Sequence, residues 1–269
     1  MKKLKRFLTV MLATAILVAM TPVAFFGGGI GSTCIAYAAS DTVVATGQCG
    51  DKLTYTVTGD NKNSYAISIT GTGNMYDYGL DEWAAPWCDY NLTSITIGDG
   101  VTSIGAYAFV LNDNKVKLTI GKKVKSIGEC AFLQTGITGT LTIPASVQTI
   151  GETAFQETAI TKLVLGKGVK ELGDGAFSYC RSLKTIDASK SSKLTLIGGG
   201  CFHSDDKLKT IKINANKLKK VGGQSLCTGS TIKVTVIAKT KSTYNKAVKL
   251  LKGGDSLGLS TFKFAYKKG

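Results

Sequence analysis

Proline is scarce in this chain, with three among 269 residues. Set against 32 glycines, that scarcity excludes a proline-rich linker and a collagen-like rod. No C-x-x-C occurs, so a thioredoxin-like site or a paired-cysteine zinc site has no support. Histidine is limited to His203, in "CFHSDD". A Cys–His nucleophile needs the imidazole to meet the thiol and a third group to orient it. Cys201 is expected to face the core while His203 follows at an outward turn. His203, Asp205 and Asp206 are read as a solvated loop, not as a metal site. Acidic residues fall singly at turns, so no pair of carboxylates is placed for general acid–base work. "LIGGGCF" lacks the Lys-Ser/Thr that completes a phosphate-binding loop, and "FGGGIG" lies in the leader. The expectation is a protein with no catalytic residue, no cofactor and no metal.

Long apolar runs are also lacking, except at the start. Lys2, Lys3, Lys5 and Arg6 precede "FLTVMLATAILVAM", and a small-residue stretch ends in "AYAAS". That order is the pattern of an export signal, with Ala36 and Ala38 fitting A-x-A and cleavage after Ala38. The other reading is an uncleaved anchor, because Phe7 to Phe26 is just long enough to span a bilayer. Cys34 follows "GST", a poor match to a lipid-attachment triplet. With no second apolar span, the mature chain is expected to be soluble, and membrane contact is limited to the uncleaved signal. No wall-sorting motif is visible at "FAYKKG", so covalent wall attachment is not expected.

The chain is basic, with a formal net charge of +15. Removing residues 1–38 removes four basic side chains and leaves it basic. In an exported protein the matching surface is an anionic envelope polymer, an acidic glycan or an acidic protein patch. Nucleic acid is not expected, because the lysines look dispersed and no stacking aromatics cluster with them.

What is abundant is one phrase. "VTSIGAYAF" returns as "VKSIGECAF", "VQTIGETAF" and "VKELGDGAF". Its Phe falls at Phe109, Phe132, Phe155, Phe177 and Phe202, and Leu226 takes the next slot. Repeats of this period stack, because no single unit buries its own apolar face. Ile95 and Ile97 alternate with polar residues, as do Leu118/Ile120, Leu141/Ile143, Leu163/Leu165, Ile186/Ala188 and Ile211/Ile213, which predicts a short strand per unit. A polar turn follows, then a second extended piece carrying Val101 and Ile104. Gly105 is where a side chain would clash. The "GxxAF" segment is expected to form one helical or 3₁₀ turn.

The unit "LVLGKGVKELGDGAFSYCRSLKTI", Leu163 to Ile186, resembles the BspA-like bacterial leucine-rich repeat, and the likeness covers about 92–237. Only "TIPASV" keeps that family's proline. "GQCGDKLTYTVTGDNKNSYAISITGTGNMYDY" and "APW" are similar to the family's amino-terminal segment. The resemblance implies a secreted or surface-displayed protein that adheres to host matrix or neighbouring-cell surface proteins.

The expected fold class is thus a β-rich leucine-rich repeat solenoid with short parallel strands. Residues 1–38 are the signal, 39–91 an N-terminal β-hairpin cap, 92–237 the solenoid, and 238–269 a C-terminal helical cap. "LTYTVTG" and "SYAISITG" read as a hairpin around "DNKN", with Trp83, Pro86 and Trp87 over the first coil. "TIKVTVIAK" reads as the final strand. "STYNKAVKLLK" reads as an amphipathic helix with Ser242 as N-cap and Gly253–Gly254 as its stop. Tyr244, Val248 and Leu251 share its inner face.

Cys130, Cys180, Cys201 and Cys227 occupy four different repeat slots, which disfavours the Cα separation a disulfide needs. They are read as small buried hydrophobes, leaving Cys49–Cys88 as the pair to consider. A stacked-repeat protein binds through its exposed sheet face. The outward positions there are Thr96, Lys117, Thr119, Thr142, Lys162, Lys212 and Lys233, a threonine-rich face with lysines along one side and no aromatic anchor. Thr and Lys are also ordinary exposed strand residues. The partner expected is a protein ligand or an anionic envelope polymer.

Overall fold

The computed structural model of the protein describes residues 42–59 and 63–269. The expected signal, its cleavage point and Cys34 lie outside the described residues. The chain opens with β1 (Thr42–Gly50), β2 (Leu53–Gly59) and β3 (Tyr65–Gly71), joined as antiparallel neighbours, followed by the two-residue β4 (Gly73–Asn74). From there each repeat supplies a longer strand and a short one. These are β5 (Leu92–Ile97) with β6 (Val101–Ile104), β7 (Lys117–Thr119) with β8 (Ser126–Ile127), and β9 (Thr138–Ile143) with β10 (Thr149–Ile150). They continue as β11 (Ala159–Leu165) with β12 (Glu171–Leu172), β13 (Thr185–Ala188) with β14 (Leu196–Ile197), and β15 (Thr210–Asn214) with β16 (Lys220–Val221). The chain closes with β17 (Thr231–Ala238), α1 (Lys241–Gly253) and β18 (Thr261–Lys268).

The strands stack into layers. The short strands form one parallel sheet in the order β4-β6-β8-β10-β12-β14-β16. The longer ones form two sheets, β1-β2-β3-β5-β7 and β9-β11-β13-β15-β17-β18. Among the described residues only the Val116–Ile137 bridge joins these two. At that break Gly139 adopts φ +74°, and Leu118 and Ile120 are half-buried, although the pattern placed them with the fully buried pairs. The break removes the neighbour that would have covered them. β18 adds in parallel to β17, so "TIKVTVIAK" is not the last strand. The strand β1, which the sequence reading did not contain, precedes the expected hairpin.

Alternation decides which side chains are inside. Ile95, Ile97, Leu163, Leu165 and Val236 are at most 1% exposed, and each full burial of such a side chain is worth about 1.5–3 kcal/mol. The repeated phenylalanines form a continuous stack. Phe109, Phe132, Phe155, Phe177 and Phe202 lie 5.0–5.6 Å apart between ring centroids, with interplanar angles of 1–11°. Trp87 heads the stack, 5.4 Å from Phe109, and its indole Nε1 donates to the Ala108 carbonyl at 2.7 Å. Trp83 does not share this role: it is 74% exposed, on the 3₁₀ turn Asp81–Trp83.

The "GxxAF" segments are not helical. The residue two before each aromatic is left-handed, with Tyr107, Cys130 and Thr153 at φ 55°, 50° and 49°. Leu111, Gln134 and Glu157, two after it, are left-handed as well. Alternating hands turn the N–H groups along the stack. Cys130, Phe132 and Gln134 donate to the Glu152, Ala154 and Gln156 carbonyls of the next coil at 2.8–2.9 Å. A left-handed non-glycine residue costs about 1–2 kcal/mol, and these cross-coil bonds offset it. The preceding glycine serves a different need. A Cβ on Gly151 would stand 2.7 Å from the Glu129 nitrogen and the Gly128 carbonyl carbon. The coil before it leaves no room for a side chain.

At the far end, the cap of α1 lies two residues before the expected Ser242. Thr240 is the N-cap, its hydroxyl accepting from the Thr243 N–H at 3.1 Å. Threonine is also a favourable N-cap, somewhat behind serine, and Ser242 falls inside the helix. Ala247 and Leu251 form the buried face of α1, while Tyr244 and Val248 are half-buried. No helix among the described residues is long and apolar enough to cross a membrane.

Candidate functional site

The seven outward residues named from the sequence are all exposed: Thr96, Lys117, Thr119, Thr142, Lys162, Lys212 and Lys233. Strand register sorts them into two groups. Thr96 pairs with Thr119, and Lys117 lies beside Ser94, on the sheet that ends at β7. Across the break, Lys162, Thr185, Thr210 and Lys233 follow one another in one column. Thr142, Val164, Asp187 and Lys212 form the column beside it. Neighbouring strands are about 4.8 Å apart, so Lys162 and Lys233 stand about 14 Å apart along the face.

The columns are not uniformly cationic. Asp187 sits next to Lys212 in register and one strand from Lys162. Partial burial pushes its carboxyl pKa up. The Ser189 hydroxyl and amide, at 2.6 and 3.1 Å, and the charges of Lys212 and Lys162 outweigh that and hold it below the ordinary value. Half-buried Val164 interrupts the polar surface. The face is therefore shallow, threonine-lined and charged at intervals, with one carboxylate among its lysines. Among the described residues the single ion pair is Lys122–Asp99 at 3.5 Å, off these columns.

The thiols are placed for packing. Cys49, Cys130, Cys180, Cys201 and Cys227 are free and buried. Cys49 lies fully buried on β1 as a free thiol, so the Cys49–Cys88 bond that the sequence left open is not formed. Burial pushes the Cys49 thiol up to about 11 and raises Cys180 and Cys201 further, the opposite of the lowered pKa that makes a thiolate nucleophile.

Asp205 departs most from expectation. It is not on a solvated loop but 0% exposed, with neither carboxylate oxygen hydrogen-bonded. It follows Phe202 by three residues. The same slot holds Asn112, Thr135, Thr158 and Cys180, all buried. Those side chains donate to main-chain carbonyls: Thr135 to Phe109 at 2.6 Å, Thr158 and Cys180 both to Phe155 at 3.0 and 3.3 Å. A carboxylate has no proton to donate there. Burial raises the Asp205 pKa well above the usual carboxylate range, offset in part by the nearby Cys180 amide. His203 is half-buried, its ring edge-on to Tyr179 at 5.7 Å. Among the described residues no group of three or more His, Cys, Asp or Glu is arranged to hold a metal.

The stacked units correspond to a known repeat. The BspA type leucine-rich repeat region matches in six copies, over residues 86–191 and 137–249. The chain belongs to this family. Solved structures similar to it include leucine-rich repeat proteins from Bacteroides ovatus and Eubacterium ventriosum, at 20% and 19% identity and TM-scores of 0.43 and 0.42. The first match covers 70% of this chain and 49% of the other, and the second 83% and 73%. The chain thus spans about half the length of the B. ovatus protein. A leucine-rich repeat protein of T. pallidum is 18% identical with a TM-score of 0.42, over 78% of this chain and 94% of that one. No curated protein matches the chain. Asp205 occupies the slot that Cys180 fills in the preceding coil.

Proposed function

We propose that this BspA-type chain is a secreted or cell-surface leucine-rich repeat solenoid. Its ends are capped by the β1–β3 strands and by α1 with β18, and it has no catalysis of its own. Its role is to bind a protein, in adhesion to a host matrix or neighbouring cell, through the exposed face of the longer strands. The observation that supports this reading is the in-register pair of Thr/Lys columns, which no other part of the described chain covers. The family points the same way, towards protein interaction. Surface threonines and spaced lysines suit a broad polar partner with acidic groups opposite Lys162, Lys212 and Lys233.

The test is a pull-down against matrix proteins and cell envelopes with Lys117, Lys162, Lys212 and Lys233 all changed to Glu. Binding is expected to weaken by about fourfold to several-hundredfold, from four exposed charge pairs of about 0.2–1 kcal/mol each, with the unfolding midpoint little changed. Unchanged binding with unchanged salt response removes this face as the site. The second reading is envelope association through charge alone, favoured by the excess of lysine. Such a protein washes off at moderate salt, where exposed charges are screened, whereas a specific complex persists.

A further inference from the structure

The two ends of the stack carry opposite charge. Residues 39–116 hold nine acidic and three basic side chains, whereas residues 207–269 hold fifteen lysines and one aspartate. The lysines are thus unevenly spread along the chain, in contrast to the dispersed arrangement expected from the sequence. They gather on β15, β17, α1 and β18. Exposed apolar side chains follow the same division. Every large exposed hydrophobic residue among those described precedes residue 112 or follows residue 256, including Val43, Val44 and Trp83 at one end and Leu257 and Leu259 at the other. The coils between carry none.

The same two ends hold the open edges of the longer-strand layer. Among the described residues β1 pairs only with β2, and β18 only with β17. Two antiparallel steps bring β1 back into the direction of β3, which is parallel to the strands after it, so β1 and β18 run the same way. Open edges attract further strands unless charge, proline or brevity blunts them. β1, "TVVATGQCG", has nine residues with no charge and no proline. β18 carries Lys263, Lys267 and Lys268, which oppose pairing with a second β18.

We propose that copies of this chain associate end to end, β18 of one adding in parallel to β1 of the next. The acidic end and the lysine-rich end attract, and like ends repel, so the contact is heterologous and propagates as an open row. Bulges beside Val43 and Gln48 limit the regular part of β1 to Ala45–Gln48. The ladder between copies is correspondingly short, and association depends on charge. The rival occupant of the lysine-rich end is an anionic lipid surface. It would use Leu257, Leu259 and the lysines but leave the uncharged β1 edge uncovered.

Sedimentation velocity of the purified protein tests this. Mass is expected to rise with protein concentration below about 0.1 M salt, where the Debye length is about 10 Å, and to fall to the monomer near 1 M. Val43→Lys with Val44→Lys blocks the β1 end, and Lys263→Glu with Lys267→Glu blocks the β18 end. All four positions are exposed, so unfolding midpoints should be unchanged. Each double variant alone is expected to be monomeric. Their mixture is expected to associate again, because the open β18 of one meets the open β1 of the other and the introduced Lys and Glu ends also attract. Association of either variant with itself, or a wild-type chain that stays monomeric at low salt while binding phosphatidylglycerol vesicles, would overturn the proposal.

Discussion

Asp205→Thr is expected to stabilise this protein, and to do so more at high pH than at low. The residue is fully buried, and both its oxygens lack partners. An unsatisfied buried polar group costs about 1–3 kcal/mol. Threonine fills nearly the same volume and supplies the hydroxyl that Thr135 and Thr158 already use in this slot. A hydroxyl at 205 would find the Phe177 carbonyl as its counterpart in the stack.

The pH dependence follows from the raised pKa. An unfolded aspartate loses its proton near pH 3.9, while folded Asp205 keeps it to higher pH. Between those two pKa values the unfolded state binds fewer protons than the folded one. Stability therefore falls as pH rises, by up to about 1.36 kcal/mol per pH unit. Below about pH 4 both states are protonated and the pH-dependent part of the penalty is absent. Urea or thermal unfolding of wild type and D205T at pH 4, 6 and 8 should show a gain of about 1–3 kcal/mol at pH 8 that shrinks towards pH 4. For a chain this size that is about 2–4 °C in Tm per kcal/mol. Asp206→Thr, at the exposed neighbour, is the control and should change little. A destabilised D205T, or a gain equal at all three pH values, refutes the account of a buried, titrating carboxyl.

Two other substitutions test the stack. Phe155→Ala removes a ring fully buried between Phe132 and Phe177 and should cost about 3–5 kcal/mol in chemical unfolding, with neighbouring coils losing amide protection. Gly151→Ala forces a methyl against the Gly128–Glu129 backbone and should cost about 1–3 kcal/mol, although alanine is the better residue in most backbone contexts; a neutral result would show that the coils are not in contact there.

The stacked core was legible because each coil must offer the next the same apolar template. The period of the phenylalanines, the alternation at Ile95/Ile97 and the close-approach glycines all followed from that one requirement. The turns were not legible. Glycine would have announced their left-handed residues, but only Gly175 and Gly200 do so. Tyr107, Cys130 and Thr153 hold the same conformation with ordinary side chains, stabilised by bonds to a coil more than twenty residues away. The strand β1 was hidden by its two bulges, which break the alternation of "TVVATGQCG". β18 was readable, since Phe262, Phe264 and Tyr266 recur at a period of two and pair with Ile232, Val234 and Val236. The Asp205 slot was readable too, three residues after each aromatic. For the candidate face the sequence supplied which residues point outward. Threonine and lysine suit both a ligand and bare solvent, so it could not supply the partner.

Charge and repeat are separable in this chain, and that bears on where function lies. The apolar columns recur in every coil, so selection for stability acts on all coils alike. Charge does not recur: acidic side chains dominate from residue 39 to residue 116, and lysine dominates from residue 207 onward. Folding needs no such division, because surface ion pairs contribute little and a single one is formed among the described residues. Solubility needs only net charge, wherever it sits. An uneven distribution along a uniform scaffold is accounted for by contacts made at the ends. The sheet columns in between, with Asp187 set among their lysines, are the face proposed for a partner that approaches from the side.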